Sequence, residues 1–224
     1  MADAVSLTST EARVLGALME KQLTTPDAYP LTLNALTTAC NQTSNRDPIV
    51  HYEPYQVETT VLVLKTRGMA RVVHPGSGER ATKYRHIADE ALNLDSAERA
   101  LMCVLLLRGA QTVNELRTRT ERLHPFSSPD AVESTLDGLA RRDPPLVSRI
   151  DRQPGQKEPR WLQLIEEGAE ARAAAAPSAS SVTPSARAAS DSRVDELEGR
   201  IAALEQRLAQ VTDALAGLID LPAD

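Results

Sequence analysis

The sequence predicts a mainly α-helical α+β protein: two similar modules in tandem, each ending in a small β-hairpin, followed by a C-terminal coiled-coil helix. Three observations carry this expectation. Four short motifs recur in the same order in two halves of the chain. Each half reads as three helices followed by two extended runs around a turn. A strict heptad pattern occupies residues 193–221.

The repeat comes first. "STEARVLGAL" at Ser9–Leu18 parallels "SAERALMCVL" at Ser96–Leu105, and "LNAL" at Leu33–Leu36 parallels "VNEL" at Val113–Leu116. "VETTVLVL" at Val57–Leu64 parallels "VESTLDGL" at Val132–Leu139, and Gly78…Tyr84 parallels Gly155…Trp161. The first helix of each half opens on a capping box, Thr8-x-x-Glu11 and Asp95-x-x-Glu98. Val14, Leu15 and Leu18 recur at helical spacing, so one face of the first helix should be buried. Leu101 to Leu107 is apolar all round, which suits a more buried helix, and Gly109 stops it.

The second helices start at Thr32 and at the capping box Thr112-x-x-Glu115. The third carry the VETT and VEST motifs and end at Arg67-Gly68 and near Asp143-Pro144-Pro145. "MARVV…TKYRH" and "LVSRI…RWLQL" then form hairpins that must pack on the helices, because two strands alone are unstable. Three helices and a hairpin is the winged helix-turn-helix plan. Module 1 is expected over residues 6–90 and module 2 over residues 95–166.

Residues 169–192 are rich in Ala, Ser and Pro and read as a disordered linker, with residues 166–176 extending a helix first. Over residues 193–221 the apolar positions Val194, Leu197, Ile201, Leu204, Leu208, Val211, Leu215 and Leu218 alternate steps of three and four. Every a and d position is filled, and Arg200 at g would meet Glu205 at e of a parallel partner. The expected outcome is a homodimer. A trimer, or a helix lying on the protein's own body, is the alternative.

"LTSTEARVLGALMEKQLTTPDAYPLTLNALTTACNQTSNRDPIVHY", "LLLRGAQTVNELRTRTERL" and "PGQKEPRW" resemble the bacterial YceH-like proteins, over about residues 6 to 165. The resemblance implies a tandem winged-helix fold and says little about activity.

Composition narrows the function. The 224 residues carry 25 Lys and Arg against 31 Asp and Glu, a net of −6, so any contact with nucleic acid must be local. Cys40 and Cys103 form neither a disulfide framework nor a zinc pattern and read as buried thiols. The four histidines lack metal-ligand spacing, and neither a Gly-x-Ser-x-Gly elbow nor a phosphate loop occurs. A non-enzymatic protein without cofactor is expected. The start "MADAVSLTSTEAR" has no secretory pattern, and the longest apolar run is too short to span a membrane, so a cytoplasmic location is expected.

Double-stranded DNA is the leading partner expected from the fold analogy, and another protein is the competing one. Both third helices begin acidic, with Glu58 in one and Asp130 and Glu133 in the other, which argues against a phosphate grip. Basic side chains lie elsewhere. Arg80, Lys83 and Arg85 sit in the first hairpin, Lys157 and Arg160 in the second, and Arg117, Arg119 and Arg122 follow the second module's second helix. Residues 96–165 carry 11 basic and 9 acidic side chains, so the second module is the better candidate for phosphate.

One stretch stands apart: "ACNQTSNRDP", Ala39 to Pro48. The interval from Leu33 to Val57 exceeds that from Val113 to Val132 by five residues, and the stretch begins this insertion. Asn and Ser can close such a turn on their own backbone. The same groups facing outward, Asn41, Gln42, Thr43, Ser44 and Asn45 with Arg46 adding charge, would make a partner surface beside the third helix.

Overall fold

The computed structural model describes residues 5–75, 81–152 and 156–175. In the first half, α1 (Ser9–Thr24) leads through a 3₁₀ turn (Pro26–Ala28) and β1 (Leu31–Thr32) into α2 (Leu33–Cys40) and α3 (Pro54–Thr66). β2 (Ala70–Val73), β3 (Lys83–His86) and the short α4 (Ala88–Ala91) complete it. The second half runs α5 (Ser96–Arg108), α6 (Val113–Thr120), α7 (Pro129–Ala140), β4 (Val147–Ile150) and β5 (Arg160–Gln163), and α8 (Ala169–Ala175) follows. The protein is thus mixed α+β, with helices dominant and small antiparallel sheets.

The helix starts form where the sequence places them. Thr8 accepts from the Glu11 amide while Glu11 accepts from the Thr8 amide at 2.7 Å, and Asp95 with Glu98 and Thr112 with Glu115 close the same reciprocal pair. Thr32 caps α2 through the Ala35 amide. Each box satisfies two amides that a helix start leaves open.

The first hairpin differs from the two-stranded expectation, and the second keeps it with one isolated bridge added. β3 pairs with β2 on one side and with β1 on the other, giving the order β1-β3-β2 and the register Leu31↔Tyr84. In the second half Gln111 and Trp161 exchange both backbone hydrogen bonds, at 2.9 and 2.7 Å, beside the β4-β5 pair. Leu31 and Gln111 each lie just before the Thr that caps the following helix, so the repeat extends to a third strand position. A row of edge amides is satisfied by this addition.

α1 is also more enclosed than its pattern suggests. Glu11 to Met19 are all buried, because α1 packs against α2 and α3 on one side and against α5 on another. α5 is buried from Ala100 to Leu107. One hydrophobic cluster joins Leu15 and Leu18 of α1, Val61 and Leu64 of α3, Leu105 of α5 and Leu136 of α7. The first and last segments of this body are joined as well. The Leu7 amide donates to the Ile165 carbonyl at 2.7 Å, and the Glu167 amide donates to the Leu7 carbonyl at 2.8 Å. The boundary expected near residues 90–95 is therefore a seam inside one compact body. Residues 193–221, with their heptad, lie outside the described residues, as do residues 177–192.

Candidate functional site

The polar stretch is built from behind by two buried arginines. Arg46 is only 6% exposed, so the expectation that it faces a partner is corrected. Its Nε and Nη2 donate to the Ala39 carbonyl at 3.1 and 2.9 Å, and Nη1 and Nη2 donate to the two carboxylate oxygens of Glu20 at 3.0 and 2.6 Å. Nη2 also donates to Gln42 Oε1 at 2.8 Å. Arg13 donates to the Cys40 carbonyl at 3.1 Å and to the Pro48 carbonyl at 2.5 Å. The physical reason is the C-terminus of α2. Its last carbonyls have no helical donor and carry partial negative charge, and two guanidinium forks satisfy them. Arg46 holds the Glu20 carboxyl below its usual range against the opposing effect of burial.

Asn41 is a structural clamp as well. Its amide donates to the Tyr52 carbonyl at 2.8 Å, and its oxygen accepts from the Tyr52 amide at 2.7 Å. Asn45 takes a left-handed backbone, φ 58°, which asparagine tolerates, and its side chain accepts from Arg108 Nη1 at 2.9 Å. The Asp47 amide donates to the Leu107 carbonyl, which ties the turn to the end of α5. Thr43, Ser44 and Asn45 remain exposed and Gln42 is half-buried.

These outward groups share a cleft of about 620 Å³ with part of the second half. Lys21, Thr24 and Thr25 at the end of α1 form one wall and Gln42, Ser44 and Asn45 continue it. Arg108 of α5, then Thr118, Arg119 and Arg122 at the end of α6, form the other, above a floor that includes Leu107 and Leu123. Glu20 and Glu121 are the carboxylates in the lining. Arg119 pairs with Glu115 at 3.3 Å, whereas the Arg122 side chain has no hydrogen-bond or ion-pair partner among the described residues. Burial and the nearby Arg119 charge hold the Arg108 guanidinium below its usual value.

The remaining predicted residues are dispersed. Arg117 is exposed on α6, Lys83 and Arg85 are half-buried on β3, and Lys157 is exposed near the second hairpin turn. Arg160 lies on β5 and lines a separate recess with Asp47 and Arg172. Arg80 lies outside the described residues. At the end of α7, Arg142 is an internal brace: it reaches the Leu92 carbonyl at 2.7 Å and both Glu98 oxygens at 2.7 Å.

Sequence reasoning missed the outer face of α3. Tyr55, Leu62 and Val63 are 68%, 45% and 38% exposed, and Ile49 just before the helix is 54% exposed. Tyr55, Thr59, Leu62 and Thr66 are spaced by 4, 3 and 4 and so form one stripe, with Glu58 and Lys65 seven residues apart on one flank. Val57, Val61 and Leu64 on the opposite side fill the core. The signal was available, since Leu62 and Val63 cannot point inward together with Val57, Val61 and Leu64 on one helix.

Among the described residues no group of three His, Cys, Asp or Glu side chains is placed to hold a metal ion, and no helix is long and apolar enough to cross a membrane. Both cysteines are buried, and burial pushes the Cys40 thiol up to about 12.

Fold and site together define a class: a helical α+β protein in which a three-helix-and-hairpin unit occurs twice around a shared core. Residues 7–156 match the family model described as "Protein of unknown function, DUF480", and the chain belongs to that family. It is 49% identical over 173 residues to a UPF0502 protein of Geotalea daltonii, covering 77% of this chain and 78% of the relative. A UPF0502 protein of Geobacter sulfurreducens is 49% identical over 175 residues, covering 77% and 79%. One from Citrifermentans bemidjiense is 50% identical over 171 residues, covering 76% and 79%. The family is bacterial and agrees with the resemblance to YceH-like proteins.

Proposed function

We propose that this chain is a non-enzymatic protein–protein interaction module made of two winged helix-turn-helix units, and that the outer face of α3 docks a helix of another protein. The observation that carries this reading is the stripe Tyr55-Thr59-Leu62-Thr66, which is uncharged, partly apolar and exposed. A stripe at this spacing fits an amphipathic helix laid along it, and Glu58 and Lys65 on its flank ask for opposite charges on that helix. A phosphate-gripping recognition helix needs donors and positive charge on that face. Self-association through residues 193–221 belongs to the same reading, and light scattering on the full chain against a 1–190 truncation tests it.

The test places a photo-crosslinking amino acid at position 59 in the full chain inside the native host. A single protein adduct that disappears in Leu62→Glu, with melting temperature unchanged, supports docking. An adduct indifferent to Leu62→Glu removes it.

Double-stranded DNA remains a second reading, favoured by the clustering of Arg117, Arg119 and Arg122 around the end of α6. It requires affinity for random duplex that falls linearly in log salt, with a slope set by the phosphates contacted. Absence of binding at low salt removes it.

A further inference from the structure

We infer that the cleft between the ends of α1, α5 and α6 binds a small phosphate-bearing anion, a phosphate ester of nucleotide size. The site is independent of the α3 face. Four cations line it, Lys21, Arg108, Arg119 and Arg122, against the carboxylates of Glu20 and Glu121. The Glu20 carboxylate is already spent, because Arg46 takes both its oxygens from the buried side and Lys21 approaches within 3.4 Å. Arg108 reaches only a neutral partner, the Asn45 side chain, and Arg122 reaches none among the described residues. Like charges gathered from the ends of α1, α5 and α6 repel one another, and an anion between them relieves that repulsion.

The chemistry of the walls selects the ligand. Guanidinium forks match phosphate oxygens two at a time, and the Ser44 hydroxyl adds a neutral donor, while the Thr24, Thr25 and Thr118 hydroxyls donate to the carbonyls of Glu20, Lys21 and Asn114. The apolar floor around Leu107 and Leu123 suits an uncharged portion of the ligand rather than a bare ion. About 620 Å³ is within the range of small-molecule pockets. The walls come from both halves of the repeat, so the ligand would bridge them. It would touch the loop that leads from α2 toward α3.

This assigns a role to the exposed part of the polar insertion. Arg46 and Asn41 hold the loop from within, and this leaves Gln42, Ser44 and Asn45 presented to the cleft. The five extra residues of the first half then serve to complete a pocket against the second.

The experiment titrates the full chain with inorganic pyrophosphate and with ATP by calorimetry at low ionic strength. Hydrogen exchange is followed at residues 42–45 and 118–123. Saturable binding, protection of both segments and a loss of about tenfold or more in affinity for Arg122→Ala are expected, the loss of one charge-assisted contact. Arg122 has no partner among the described residues, so that variant should keep the wild-type melting temperature, and Arg152→Ala on the second hairpin serves as the unaffected control. Three results would overturn the inference: no binding of either probe at millimolar concentration, equal affinity in Arg122→Ala, or protection elsewhere. Random duplex DNA is the third titrant. Binding of duplex that is lost in Arg122→Ala while both small anions fail would assign these cations to a nucleic-acid backbone instead.

Discussion

A methyl group built on Gly16 would stand 2.9 Å from Leu107 Cγ and 3.2 Å from Leu106 Cβ. The backbone of α1 thus approaches α5 as closely as a residue without a Cβ allows, and the Cys103 thiol points at the Gly16 carbonyl, 3.6 Å away. Gly16→Ala gains helix propensity of about 1 kcal/mol. It also drives a carbon into Leu106 Cβ, which cannot rotate away, and overpacking of this kind costs about 1–3 kcal/mol. A net loss of stability is expected in urea unfolding, larger for Gly16→Val. Unchanged or raised stability in Gly16→Ala would contradict the close approach.

Arg46→Ala removes one side of a buried pair, leaving the Ala39 carbonyl without its side-chain donor and Glu20 with Lys21, 3.4 Å away, in place of the guanidinium fork. A loss of roughly 3 kcal/mol is expected. Thr43→Ala and Ser44→Ala, on exposed positions of the same stretch, should stay within about 0.5 kcal/mol of wild type. Thermal melts of the three variants check the contrast. Equal effects would mean that the stretch is not divided into an inner and an outer set.

His86 gives stability a pH dependence. Burial depresses its folded-state value from 6.5 to about 4, against the favourable charge of Asp89 and with Arg99 and Arg85 adding to the depression. The neutral ring is held between Gln22 Oε1, 2.6 Å from Nε2, and the Ala88 amide, which donates to Nδ1. The unfolded chain takes up this proton near pH 6.5 and the folded one does not, so the contribution is complete above about pH 6.5 and declines as pH falls toward 4. A loss of roughly 1–3 kcal/mol over that window is expected. His86→Gln should flatten the slope between pH 7 and pH 5 in urea titrations; an unaltered slope would assign it to other groups.

The thiols offer a simple check on the core. Burial raises both, Cys40 to about 12, and neither meets solvent. Reaction with a disulfide reagent at pH 8 should be slow in the native protein and release two equivalents in denaturant. Fast native reaction of either would place that residue at an accessible position.

Much of this fold was legible in local chemistry. Thr8, Asp95 and Thr112 announce helix starts because the cap and its partner lie three residues apart in the chain. β1 was not legible: Leu31-Thr32 is too short for a pattern, and its pairing with Tyr84 spans more than fifty residues. The same limit hid the direction of Arg46. A lone arginine after five polar residues carries no mark of the Glu20 carboxylate and the Ala39 carbonyl that draw it inward. Arg142 is drawn inward in the same way, by acceptors at Leu92, Asn93 and Glu98 that lie more than forty residues away in the chain. The α3 stripe is the opposite case, with spacing sufficient to separate an inner from an outer side.

The pairing of Leu7 with Ile165 and Glu167 gives the described body the connectivity of a ring. A short peptide joining residue 5 to residue 167 would bridge neighbouring strand-like segments, so new termini could be opened in the loop between α6 and α7 without breaking a hydrogen-bonded element. Such a circular permutant should melt in one cooperative transition. A fragment ending at residue 90 would lose both the α5 surface beneath Gly16 and the partner of Leu7. What the sequence repeats twice is therefore not autonomous: each copy supplies a wall of the other's interior.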